Sequence, residues 1–234
     1  MIDSLLGGGV RSGMLTDVYG QSGSGKSQLC FTLCVNCIKS STQEDKVMFI
    51  DTTGTFRPER IAEISSSYTN SNLLNKIMYV RALSTLDQVS TIRRIATINP
   101  RLVIVDSATY LFSTEFKGVS RHLALMKYLH EVSLAAINFD CAIVVTNMVR
   151  NMPLNKKITQ SRDHNIAPSI KPSSTNSNTF GQREFMGTSV SIYAHMKLKL
   201  AALDRKNAVF GVGLMQPKRK GWTAFHIASR GICD

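Results

Sequence analysis

Long apolar runs are missing from this chain. No segment approaches the roughly 18 consecutive apolar residues that a helix needs to cross a bilayer, so a helical membrane span is excluded. A basic leader is missing as well. The opening Met1-Ile2-Asp3-Ser4-Leu5-Leu6-Gly7 carries an early acid and no positive stretch, which excludes a signal peptide and predicts a soluble, cytoplasmic protein. Cysteines number only five, an odd count that fits a reducing compartment better than a disulfide framework. Cys30, Cys34 and Cys37 recur on one face of a predicted helix, but no histidine or fourth cysteine lies nearby to close a tetrahedral metal site. They are expected to pack in the core.

Acids are scarce too. Sixteen Asp and Glu stand against 28 Lys and Arg, a net charge of +12. Such an excess attracts polyanions, nucleic acid foremost, with an acidic protein or an anionic membrane surface as the other classes. No internal repeat and no low-complexity block dominates, and 234 residues with 43% hydrophobic content fit one α/β domain over 1–234.

What is present is an alternation of short β-branched runs with amphipathic stretches, the pattern of βαβ units and a mostly parallel sheet flanked by helices. Strands are expected at Met14 to Tyr19, Val47 to Ile50, Ile77 to Val80, Leu102 to Val105 and Cys141 to Thr146. Helices are expected at Lys26 to about Lys39, Pro58 to about Tyr68, Thr85 to about Ile98 and His122 to about Asn138. From Arg150 to Gly187 the pattern gives way to a long structureless loop rich in Asn, Ser, Thr and Pro. A loop of that length inside a compact domain is either functional or disordered. Ser191 to Leu200, Val209 to Gln216 and Thr223 to Ala228 then read as strands, the last two forming a C-terminal hairpin.

The first strand runs into Gly20-Gln21-Ser22-Gly23-Ser24-Gly25-Lys26-Ser27, a complete G-x-x-x-x-G-K-[ST] loop between a strand and a helix. Its glycines let successive backbone N–H groups turn inward on phosphates, and the helix N-terminus adds positive dipole there. Lys26 can reach the β- and γ-phosphates and the Ser27 hydroxyl can ligate Mg²⁺. Gln28 follows them into the site. Asp106, closing the apolar run Leu102-Val103-Ile104-Val105, is the acid expected to hold the same magnesium through water. The expected ligand is ATP with Mg²⁺.

The run Asp51-Thr52-Thr53-Gly54-Thr55-Phe56-Arg57-Pro58-Glu59-Arg60 resembles the D-T-E-G-T-F-R-P-E-R motif of the archaeal and eukaryotic RecA-like recombinases. Leu5-Leu6-Gly7-Gly8-Gly9 is similar to that family's opening motif. Val105-Asp106-Ser107-Ala108-Thr109 and Val145-Thr146-Asn147 resemble its later core strands. The likeness runs to about Val149 and resumes weakly from Gly187 to Leu200. It is nearest to the short archaeal RadA paralogue RadB, through the chain end Phe225 to Ile232 and the lack of an N-terminal helical DNA-binding domain. The resemblance implies a RecA-like core, ATP binding, and a nucleoid-associated role in homologous recombination and DNA repair, with a RadA-type recombinase as a possible partner. It implies that Arg60 packs against adenine; a solvated helix start is the alternative. It implies that 150–187 is the second DNA-binding loop, with Arg150, Lys156, Lys157, Arg162, Lys171 and Arg183 on phosphates, and that Arg121 belongs to a shortened first loop. Only Phe180 and Phe185 offer aromatic surface there, so DNA binding should be salt-sensitive and without strong sequence preference. Lys218-Arg219-Lys220 with Trp222 either caps the nucleotide, touches DNA or forms a solvated turn.

Two positions depart from the family pattern. The family's third motif residue is a glutamate that activates the attacking water, and this chain has Thr53, whose hydroxyl is no general base near neutral pH. Asp51 and Glu59 are the nearby carboxylates. The family also places a γ-phosphate-sensing glutamine after the Thr-Asn pair, where this chain has Met148, a thioether without an amide. These departures predict an accessory or regulatory protein that holds ATP with slow or absent hydrolysis. The alternatives are an active DNA-dependent ATPase that exchanges strands itself, or a KaiC-like signalling ATPase that does not act on DNA.

Overall fold

A computed structural model describes residues 2–40, 45–66, 73–153, 180–217 and 221–233, with the backbone alone described for 151–153 and 180–182. Along the chain run α1 (Ile2–Leu6), β1 (Leu15–Gly20), α2 (Lys26–Lys39), β2 (Val47–Asp51), α3 (Pro58–Ser65), β3 (Ile77–Arg81), α4 (Thr85–Ile92) and α5 (Ile95–Ile98). There follow β4 (Leu102–Asp106), α6 (Tyr110–Glu115), α7 (Gly118–Asn138), β5 (Ala142–Pro153), β6 (Phe180–Glu184), α8 (Gly187–Tyr193), β7 (Met196–Asp204), β8 (Val209–Gln216), β9 (Trp222–Ala228) and β10 (Gly231–Cys233).

The strands form one sheet in the order β10-β9-β8-β7-β1-β5-β4-β2-β3, with β6 paired to the far end of β5. From β7 to β3 all neighbours are parallel, and β7 through β10 continue as antiparallel hairpins. The central strands β1, β2 and β4 are buried along their whole length, because helices cover both faces. Alternate residues feed two cores. Phe49, Leu102 and Ile104 meet α1, α2 and α3 on one face. Met48, Ile50, Val103 and Val105 meet α4 to α8 on the other. Cys30 and Cys34 are buried in the first core, the packing role their spacing suggested, and burial pushes both thiols up. In α7, Leu125, Tyr128, Leu129, Val132 and Ala136 fall at i, i+3, i+4, i+7 and i+11 and turn one stripe inward.

The two-cored parallel sheet with a C-terminal antiparallel extension is the α/β architecture expected from the sequence. Four local readings need correction. Ser191 to Tyr193 belong to helix α8, and the strand starts at Met196. The β-branched Val190 and Ile192 mimic strand alternation, but Val190 is buried in the core beside α7, and tertiary packing overrides local propensity. The Thr85–Ile98 helix is interrupted at Arg93–Arg94, whose N–H groups bond back three residues to Ser90 and Thr91. α3 ends at Ser65, and Tyr68 lies outside the described residues. The segment 150–187 is not structureless at its ends, since Val149–Pro153 and Phe180–Glu184 zip into an antiparallel ribbon.

Candidate functional site

β1 delivers the chain into the loop 20–27 at the carboxyl ends of the parallel strands, the edge at which open α/β sheets bind ligands. The loop curls because Gly23 and Gly25 take φ of 74° and 92°, a left-handed conformation that costs glycine little. Gly25 is the N-cap of α2 and no side chain caps that end, which leaves the first-turn N–H groups facing the loop's concavity. Lys26 Nζ donates to the carbonyls of Gly20 at 2.9 Å and Gln21 at 2.7 Å. Burial pushes the pKa of this ammonium down, and the Asp106 carboxylate opposes that shift.

Ser27 Oγ donates to Asp106 Oδ2 at 2.6 Å, and Thr146 Oγ1 donates to Asp106 Oδ1 at 2.5 Å. Asp106 ends β4 and Thr146 lies in β5, so sheet pairing brings three oxygen-bearing side chains from separate elements together. A cleft of about 430 Å³ opens over this group, lined among others by Ser22, Gly23, Lys26, Ser27, Thr53 and Met148. Such a set of hard oxygen donors beside an ammonium and a helix N-terminus fits a magnesium–polyphosphate pair, with Ser27 and Asp106 toward the metal. Thr146 was not among the expected site residues, and its signal was its place beside Asn147 at the end of an apolar strand.

Thr53 sits on the rim of this cleft, where its Oγ1 is 2.9 Å from Thr55 Oγ1. Asp51 offers no substitute for the missing glutamate. Its carboxylate accepts from the N–H groups of Thr53, Gly54 and Phe56 at 2.9, 2.7 and 3.1 Å, and pairs with Arg81 at 3.2 Å. With 0% exposure it is the hub that shapes the 53–56 turn rather than a group facing water. Glu59 is exposed on the first turn of α3, and it is not among the residues that line the cleft. Met148 also lines the cleft and brings no hydrogen-bonding amide.

Arg60 is engaged by near and distant parts of the chain. Its Nε donates to Gln28 Oε1 at 2.8 Å, and its terminal nitrogens reach Glu63 at 2.6 Å and the carbonyls of Ala228 and Ser229. These bonds place its guanidinium between α2, α3 and the end of β9, so the solvated helix start, the alternative to packing against adenine, is not what Arg60 forms.

The family model for Rad51 matches residues 1–171. The chain belongs to the Rad51 family. It is 39% identical over 161 residues to the DNA repair protein RAD51 homolog 1 of Arabidopsis thaliana, covering 63% of this chain and 47% of that protein. To the DNA repair protein RAD51 homolog B of Zea mays it is 37% identical, with the same coverage. To the DNA repair and recombination protein RadA of Cenarchaeum symbiosum (strain A) it is 37% identical over 165 residues, covering 65% of this chain and 42% of that protein. The chain thus spans about half the length of the curated relatives it matches.

In this Rad51-family chain the expected DNA contacts fall into two groups. Arg150 and Arg183 are directly paired on the β5–β6 ribbon and both are exposed, with the Arg150 guanidinium 3.8 Å over the Phe185 ring. Arg121 is on α7 rather than in a loop, because α6 and α7 are separated only by Phe116 and Lys117. Its Nε is held by the Phe116 carbonyl at 2.7 Å. Lys156, Lys157, Arg162 and Lys171 lie outside the described residues, as do Lys218, Arg219 and Lys220.

A buried ion cluster at the foot of the ribbon had no signal in the sequence. Lys197 Nζ is 2.6 Å from Glu184 Oε2, 2.8 Å from Ser191 Oγ and 3.3 Å from Asp17 Oδ2. Glu184 Oε1 also accepts from Asn147 Nδ2 at 3.0 Å, which ties the ribbon to the strand bordering the cleft. Burial, then the Glu184 charge, raises the Asp17 pKa well above its usual value, and Lys197 opposes them. An acid whose pKa rises on folding contributes stability below its unfolded value, near 4, and loses that contribution as pH rises toward the elevated folded value. Asp17→Asn removes this loss. Its urea midpoint should therefore gain on the parent's as pH rises from about 4 to 7, and a constant difference across that range would contradict the assignment.

Proposed function

We propose that this chain binds ATP with Mg²⁺ and DNA as a RadB-type recombinase paralogue in homologous recombination and DNA repair, with slow or absent ATP hydrolysis. The observation that carries the reading is the contrast within the cleft. The groups that hold a polyphosphate and its metal (Lys26, Ser27 and Asp106) are assembled, whereas the groups that drive turnover are not. Thr53 stands on the rim without a carboxylate, and Asp51 is consumed by four backbone N–H groups and Arg81. Bound ATP would then act as a structural ligand that fixes one conformation. With that reading goes an accessory or regulatory role beside a full RadA-type recombinase, within the cytoplasm and its nucleoid.

DNA binding rests on the net charge of +12 and on the paired Arg150 and Arg183 at the base of the basic segment. Phosphate contacts release counterions, so each lysine or arginine lost from a single-strand complex lowers the log–log salt slope by roughly 0.7. Replacing Lys156, Lys157, Arg162 and Lys171 together with glutamine should flatten the slope by up to about 3, measured by anisotropy of a labelled oligonucleotide. An unchanged slope would remove the segment from the interface.

A further inference from the structure

The antiparallel end of the sheet carries an aromatic surface that the nucleotide cleft does not use. Trp222, the only tryptophan of the chain, opens β9 and is 51% exposed. Its cross-strand partner on β8 is Gly213, with Gly211 two residues along. A Cβ built on Gly213 would lie 3.3 Å from indole Cδ2 and Cε2, and one on Gly211 would lie 3.2 Å from Cε3. Any side chain there would lift the ring off the sheet. Glycine inside a strand is a destabilising choice that commonly marks a close approach, and here it lets the indole lie against bare backbone with its other side toward solvent.

The surroundings are cationic. Lys199, in register with Gly213 on β7, holds its ammonium 5.9 Å from the indole centroid. In the turn after β7, Arg205 and Lys206 are exposed, and the Arg205 guanidinium donates to the Ser22 carbonyl at 3.4 Å. From Met196 to Cys233 the sequence has one acid, Asp204, against eight Lys and Arg residues, of which Lys197 is buried in its ion cluster. That acid is occupied by the N–H groups of Lys206 and Asn207 and by the Asn207 amide. A flat aromatic ring with the Lys199 ammonium over it, in a stretch whose one acid among 196–233 is already occupied, is complementary to a stacked base with its phosphate. A purely apolar protein segment would leave those charges unmatched.

We propose that Trp222 is a stacking platform for an unpaired base of single-stranded nucleic acid, with Lys199 on the adjoining phosphate. The proposal rests on the DNA-binding reading above and adds to it a second contact surface, at the opposite end of the sheet from β3. The indole stacks on the base without reading its identity, so binding through this surface is indifferent to sequence.

The single tryptophan makes the test direct. An unlabelled oligothymidylate is titrated into the full chain at low salt while indole emission is followed. Anisotropy of a labelled copy of the oligonucleotide is measured in parallel. Saturable quenching with the same midpoint as the anisotropy rise is expected. Trp222→Ala should weaken oligonucleotide binding roughly tenfold and Trp222→Phe should recover most of it. A normal anisotropy rise with unchanged indole emission overturns the platform and leaves the DNA-binding reading intact. No anisotropy rise at all overturns that reading and the platform with it. Quenching that follows protein concentration without DNA assigns the surface to a second copy, and quenching by ATP alone assigns it to the nucleotide; either result overturns the proposal.

Discussion

Lys26→Ala should reduce ATP affinity roughly 100-fold or more, since it removes a partly buried cation from charge-assisted contact with phosphate. The ammonium already bridges the Gly20 and Gln21 carbonyls, so it is held inside the loop's curl before any phosphate arrives. Its partial desolvation disfavours the free cation, and an incoming polyanion relieves that cost. The substitution leaves the glycine conformations and the Ser27–Asp106 bond in place. Folding should therefore be retained while nucleotide binding, read by calorimetry or a fluorescent ATP analogue, is lost. An affinity within a few-fold of the parent would show that the loop does not grip phosphate through this residue.

The second large effect is a gain. Thr53→Glu should raise ATP turnover by ~10²-fold or more, the range that a positioned general base supplies. Thr53 lines the cleft that holds Lys26 and Asp106, so a longer side chain ending in a carboxylate extends toward the same space. The Thr53 hydroxyl pairs with Thr55 Oγ1 at 2.9 Å in an exposed contact and donates to Asp51 Oδ1 at a long 3.4 Å, bonds whose loss costs little. The introduced carboxylate would not compete with Asp51, because Asp51 is fixed by the backbone of the turn itself. If turnover stays unchanged in Thr53→Glu while ATP still binds, the missing carboxylate is not what limits hydrolysis, and Met148 becomes the next position to restore to glutamine.

Much of this arrangement is written locally in the chain. The apolar runs at β2, β4 and β5 are legible because strands buried on both faces need no polar alternation, and the phosphate loop is legible because its spacing is rigid. The parts that escape a sequence reading depend on distant partners. Phe180-Gly181-Gln182-Arg183-Glu184 lacks a strand pattern, and it pairs because β5 runs on past the sheet and offers it an edge. In Met196-Lys197-Leu198-Lys199-Leu200 the alternation sends both lysines to one face. Lys199 is partly exposed there, yet Lys197 is buried because Asp17 and Glu184 surround it. Asp51 looked like a nearby carboxylate that could replace the missing glutamate, and only the folded turn shows it consumed by backbone N–H groups. The bonds that hold Arg60 to Gln28, Glu63 and the end of β9 include contacts with residues 168 and 169 positions further along the chain, which no local pattern shows.

The central claim is that this cleft holds ATP without consuming it efficiently. The most direct measurement mixes the protein with radiolabelled ATP and Mg²⁺, with and without single-stranded DNA, and identifies the bound nucleotide over time beside the Thr53→Glu variant. The account predicts that ATP stays bound and intact in the parent, that DNA does not accelerate its loss, and that the variant converts it to ADP. Rapid, DNA-stimulated conversion to ADP by the parent chain would contradict it.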